Sequence, residues 1–117
     1  MKDKKFKLWN GKEMSEPFDL SQNPIYWTDL LSEAPEAIVQ YTGLNDKNGT
    51  EVYEGDIVKI SDHPFDSTTF GVNGNYEVGY NDQMELCCGS WLLPKMKHYA
   101  EVIGNIYEHP HLLERED

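Results

Sequence analysis

"QYTGLNDKNGTEVYEGDIVKI", residues 40–60, is the stretch on which the reading of this fold turns. Ala37, Ile38 and Val39 lead into it and, with Gln40 and Tyr41, read as a strand, after which Thr42-Gly43 and "LNDKNG" carry turn chemistry. Asp46-Lys47-Asn48-Gly49 suits a type I turn whose fourth residue, Gly49, takes a left-handed conformation. Glu51, Val52 and Tyr53 return, Glu54-Gly55-Asp56 turns again, and "IVKI" reads as a strand with a buried face. The rival reading is a loop that grips a phosphate or a metal. No Gly-x-x-x-x-Gly-Lys-Ser/Thr spacing exists here, so no phosphate loop is encoded. Nor does Asp46 open a calcium loop, because Thr50 stands at the fifth position and the glycine and terminal glutamate are misplaced. Glu54 and Asp56 flank Gly55 and could act as paired carboxylates. At a strand entry, however, an Asp more often accepts backbone N–H bonds and fixes the corner, which is the reading preferred here.

Working outward, "KFKLWNGKEM" alternates Phe6 and Leu8 with Lys5 and Lys7 and then turns at Asn10-Gly11, which predicts an opening β-hairpin packed through Trp9 and Met14. Residues 17–37 form an insertion bounded by Pro17, Pro24 and Pro35, in which Thr28 can cap a helix of two turns at most. After "IVKI", turn residues at Asn73-Gly74 and Asn81-Asp82 bracket "YEVGY", a strand with Tyr76, Val78 and Tyr80 on one face. Met84, Leu86 and Cys88 alternate with Glu85 and Cys87 as a further strand, and Trp91, Leu92 and Leu93 close an apolar cluster before Pro94. Ala100 to Tyr107 reads as the last strand, followed by a helical turn near Pro110. Short strands with turns every eight to twelve residues predict a mainly β domain, a small barrel or sandwich. At 117 residues, one domain is expected.

Charge is the strongest compositional signal, with 21 acidic residues against 10 basic ones and a net charge of −11. Residues 1–12 hold five Lys and one Asp, whereas residues 13–94 hold fifteen acids against Lys47 and Lys59 alone. Such a surface repels phosphate backbones, which argues against direct nucleic-acid binding. No apolar run approaches a membrane span and no apolar segment follows the basic start, so a soluble, cytoplasmic chain is expected. Cys87 and Cys88 are adjacent, point to opposite faces of a strand and lack metal-ligand spacing, which fits reduced structural thiols. His63, His98, His109 and His111 are scattered, and His109-Pro-His111 is expected at a solvated edge. No convergent catalytic set, metal site or cofactor site is expected. Tyr41 and Tyr53 are expected to pack across their hairpin, and Trp9 and Trp91 to join the core. Trp27, in the insertion, is the expected exposed contact for a protein partner.

"IVQYTGLNDKNGTEVYEGDIVKI", with "KFKLWNGKEM" before it and "EVIGNIYEHPHLL" after it, resembles the YopX family of small proteins encoded by phages and prophages of Gram-positive bacteria. The resemblance implies a Src-homology-3-like β-barrel with α+β decoration, a single YopX-like domain over residues 1–117, and a setting in the bacterial host cell. It carries no catalytic or binding residue to any position of this chain. The expectation for function is a non-catalytic protein-binding or assembly module, not an enzyme. The alternative is an acidic DNA mimic or regulator acting on a host nucleic-acid-binding protein. Edge strands in so small a fold also make a homo-oligomer conceivable.

Overall fold

In a computed structural model that describes residues 5–19, 36–63 and 72–113, the chain is mainly β. Its strands are β1 (Lys5–Trp9), β2 (Phe18–Asp19), β3 (Ala37–Asn45), β4 (Glu51–Tyr53), β5 (Asp56–Ile60), β6 (Gly74–Tyr80), β7 (Leu86–Cys88), β8 (Trp91–Leu92) and β9 (Ala100–Asn105). A one-turn helix, α1 (Leu93–Met96), and a 3-10 turn, Lys97–Tyr99, precede β9, and a second 3-10 turn, Pro110–Leu113, follows it. The strands form two antiparallel sheets, in the orders β2-β1-β3-β4 and β8-β7-β6-β5-β9. The insertion helix expected after Thr28, and Trp27 with it, lie outside the described residues.

"IVKI" becomes the middle of the larger sheet. β5 pairs with β6 (Val58 opposite Tyr76) and with β9 (Val58 opposite Val102), so both of its edges are hydrogen-bonded. Ile57, Val58 and Ile60 are fully buried while Lys59 faces out. Side chains alternate across a strand, so Val58 and Ile60 point to one face and Ile57 to the other, and the sheet is covered on both sides at this point. The main core gathers on the Val58 face from Val52, Ile60, Val72, Val78, Cys88, Leu93, Met96 and Ala100. Full burial of such side chains contributes about 1.5–3 kcal/mol each. Val52 brings the first sheet into this core, so the two sheets share one apolar interior.

The opening hairpin forms, with the Asn10 side-chain oxygen accepting N–H bonds from Lys12 (2.8 Å) and Glu13 (2.9 Å) and a bridge between Trp9 and Met14. Three expectations are corrected. Thr42 and Gly43 do not turn the chain but sit in a bulge of β3, where three residues oppose one on β4 between the pairs Tyr41–Tyr53 and Asn45–Glu51. Thr42 holds this bulge, its hydroxyl donating to Val52 O (2.8 Å) and accepting from Leu44 N–H (3.2 Å). Met84 belongs to the β6–β7 turn and not to the strand. Pro94 does not end the apolar cluster but opens α1, because the first helical turn needs no N–H at that position.

A closed Src-homology-3-like barrel is not formed among the described residues. The Glu54-Gly55 corner carries the chain out of the first sheet as β4 ends and into the second as β5 begins, so the first sheet ends in the edge strands β2 and β4 and the second in β8 and β9. β2 and β8 have two residues each, which leaves little edge for unwanted pairing on those sides.

Gly49 (φ +86) and Gly55 (φ +85) both occupy the left-handed region, but only Gly55 is crowded: a side chain there would meet Tyr107 Cε2 at 3.1 Å, whereas nothing lies within 4 Å at Gly49. Gly49→Val is expected to cost roughly 2 kcal/mol through backbone strain alone, and Gly55→Val more, because the aromatic ring must also move. Urea midpoints of both variants check this, and a Gly49→Val protein as stable as the parent would contradict the left-handed corner.

Candidate functional site

Asp46 is the most heavily used polar side chain of the central stretch. It is 7% exposed. One carboxylate oxygen accepts the N–H groups of Asn48 (2.8 Å) and Thr50 (2.9 Å), and the other accepts the Val102 N–H from β9 (2.8 Å). The Lys47 N–H donates in turn to Ala100 O (3.0 Å), so the turn at residues 46–49 is docked on the start of β9. Each of these three bonds is to a backbone N–H, which gives the carboxylate an architectural role.

Asp56 likewise fixes its corner, accepting the Tyr53 N–H at 2.8 Å, as the sequence predicts. It is 6% exposed. Burial pushes its carboxyl up from 3.8 to about 6, against the opposing pull of the Tyr53 N–H and the Lys7 charge. Glu54 does not pair with it: the Glu54 charge bears instead on the hydroxyls of Tyr80 and Tyr107, which are raised chiefly by burial. The two acids therefore occupy different surroundings and do not share a proton.

Tyr41 and Tyr53 pack across β3 and β4 with ring centroids 5.5 Å apart. Lys5 Nζ lies 5.7 Å from the Tyr41 centroid and Lys7 Nζ 4.3 Å from that of Tyr53. Lys5 also pairs with Glu51, which accepts a bond from the Tyr53 hydroxyl at 3.1 Å. Trp9 packs on Tyr107 at 5.8 Å and Trp91 against the core. The aromatic rings of this layer are thus engaged with one another and with the two lysines.

Cys87 and Cys88 are both free and buried, and burial raises the Cys88 thiol to about 11, far from a reactive thiolate. Of the histidines, only His109 and His111 are neighbours, with ring centroids 6.3 Å apart. His63 stacks on Tyr99 at 4.6 Å, His111 is exposed, and His109 is packed rather than bathed in water: its Nδ1 accepts the Asn105 N–H at 3.2 Å. Gly104 makes that docking possible, since a side chain there would lie 2.6 Å from His109 Nδ1. Among the described residues no three His, Cys, Asp or Glu side chains gather as a metal site, and no helix is long and apolar enough to cross a membrane.

Two surface features stand out among the described residues. One is a groove of about 420 Å³ lined in part by Tyr41, Asn45, Asp46, Lys47, Lys97 and His98. The other is the β6–β7 hairpin tip. There Asn81 caps the turn by accepting N–H bonds from Gln83 and Glu85 (2.9 Å each), while Tyr80 is 46% exposed and Met84, at φ +63, is 76% exposed. Neither feature is signalled by a local motif: the groove joins residues distant in sequence, and Met84 reads as a strand residue by its alternation.

Residues 3–114 match the family model described as YopX protein. Among solved structures, the chain is similar to protein EF1440 from Enterococcus faecalis, with 30% identity and a TM-score of 0.50 over 96% of this chain and 76% of that one. No curated protein matches it in sequence.

The two buried carboxylates lead to separate expectations. Asp46→Ala leaves three N–H groups without their acceptor and is expected to destabilise the fold by about 3 kcal/mol or more, with Asp46→Asn in between, as urea denaturation will report. For Asp56 the folded state binds the proton more tightly than the unfolded chain. Its stabilising contribution is therefore complete below pH 3.8 and is lost as pH rises through about 6. The loss amounts to about 3 kcal/mol. Asp56→Asn removes the titrating charge, so the stability of the variant minus that of the parent should increase between pH 4.5 and 7; a difference independent of pH would contradict the burial of this carboxyl.

Proposed function

The chain belongs to the YopX family, and on that premise we propose that it is a non-catalytic protein-binding or assembly module of a phage or prophage, working in the cytoplasm of the bacterial host. The observation that carries this reading is the β6–β7 hairpin tip. A methionine at φ +63 is held in a backbone region that costs a non-glycine residue about 1–2 kcal/mol, yet its side chain is exposed and packs against little of its own protein. Together with Tyr80 it places an apolar and aromatic pair on a projecting turn of an otherwise acidic chain, the kind of anchor that partner surfaces accept. Trp27 is proposed as a second contact on the same grounds as in the sequence. The lack of a converging nucleophile, base and oxyanion donor among the described residues leaves the catalytic reading without support.

The alternative, an acidic DNA mimic acting on a host nucleic-acid-binding protein, draws on Glu54 and Glu77, whose charges both bear on the Tyr107 hydroxyl and so lie near one another. Duplex DNA separates the two readings, because it displaces a mimic from its target and leaves an apolar anchor seated.

Met84→Gly relieves the left-handed strain and is expected to leave the melting temperature equal or higher. The same change, like Tyr80→Ser, should weaken retention of a host protein by about tenfold, equivalent to one lost anchor of about 1.4 kcal/mol. Affinity capture followed by quantitative mass spectrometry reads this. Equal retention by the parent and both variants would remove the hairpin tip from the interface.

A further inference from the structure

The groove beside the 46–49 turn brings Lys47, Lys97 and His98 to one wall. Lys97 and His98 are consecutive, while Lys47 is fifty residues away, and the docking of the turn on β9 brings it to them: the Lys47 N–H bonds Ala100 O and the Val102 N–H bonds the Asp46 carboxylate. None of the three bases forms an ion pair among the described residues. Lys47 Nζ reaches only the Ser61 hydroxyl at 3.2 Å. In a chain with 21 acids this is unexpected, because acids outnumber bases two to one and pairing partners are abundant. The one acid on the groove wall, Asp46, has both oxygens committed to backbone N–H groups. It offsets part of the local positive charge but makes no ion pair with either lysine.

We propose that this groove is a binding site for a compact phosphate oxyanion carried by a small molecule, held by Lys47 and Lys97 with the His98 ring as a further donor. About 420 Å³ suits a ligand of mononucleotide size and not a macromolecule. The net charge of −11 sharpens the choice. A polyanion would extend past the groove onto acidic surface and be repelled. For a single oxyanion, screening over about 8 Å at physiological salt lets the charges that line the groove outweigh the net charge of the chain. Asn45 and Tyr41 line the same groove. The site is independent of the hairpin tip and of whether that tip binds a partner.

The test is an amide NMR titration of the whole chain with inorganic phosphate and, separately, adenosine monophosphate, at ionic strength held constant with chloride. Saturable shifts at Lys47, Lys97 and His98 are expected with both probes, tighter for the nucleotide. The pair Lys47→Gln and Lys97→Gln should weaken binding by at least about tenfold, whereas Lys47→Arg with Lys97→Arg should retain it. Lys59→Gln, on the exposed side of β5, should change nothing. Shifts that are linear in phosphate, that chloride reproduces, or that persist in the double glutamine variant would overturn the proposal. Should the glutamine pair fail to fold, equal affinity in the single Lys97→Gln variant and the parent would overturn it equally.

Discussion

The Asp46 carboxylate is the constraint on which the rest of the structure depends. A buried carboxylate is tolerable only when its lone pairs are met by donors, and here three backbone N–H groups meet them. Two of the donors lie in the turn that Asp46 itself begins, and they shape it. The third belongs to Val102, in the strand that pairs with β5. One side chain thus sets a local conformation and also joins the β3–β4 hairpin to the five-stranded sheet. The Thr42 hydroxyl does related work a few residues earlier, bridging Leu44 and Val52 across the bulge. The shared apolar core stabilises the packed sheets in general, while these bonds decide which register they take, because an N–H left unmet in the interior costs about 1–3 kcal/mol.

Asp56 shows the same device under a different balance. It has one backbone donor where Asp46 has three, and with a single N–H to offset its burial the carboxyl holds its proton up to about pH 6. A buried acid of raised proton affinity beside a lysine is also what a catalytic base looks like. What separates the two cases is access. The Asp56 side chain is 6% exposed, turned to the Tyr53 N–H, and does not line the groove beside the 46–49 turn, so the effect argued for its titration is on stability.

Much of this was legible wherever the code is local. Asp-x-Asn-Gly specifies its turn within four residues, and Gly49 takes the positive φ that the pattern requires. The strand "IVKI", the Asp56 corner, the Asn81 turn and the buried cysteines follow from patterning of the same short range. What escaped depends on partners far along the chain. Thr42-Gly43 has turn composition, yet a return strand opposite it converts the same residues into a bulge. Pro94 looks like a stop until Leu93 is drawn into the core and the proline is left at the start of a helical turn. His109 looks solvated until Gly104, with no side chain, lets the ring settle on β9. Barrel closure failed as an expectation because the pairing of the edge strands, β2 and β4 in one sheet and β8 and β9 in the other, is decided by contacts distant in sequence.

The same separation of local from distant governs where function can reside. The glycine corners carry backbone geometry and, at Gly55 and Gly104, neighbours packed so closely that no chemistry can be added there. With its oxygens turned to backbone N–H groups, Asp46 makes no ion pair with the lysine next to it, and docking of the turn on β9 sets that lysine on the same groove as Lys97. The architecture of the central stretch and the proposed anion site are thus linked through one carboxylate, which organises the backbone instead of pairing with the adjacent cation. Its charge still offsets part of the field in the groove, yet the acid next to Lys47 in sequence is directed into holding the two sheets together.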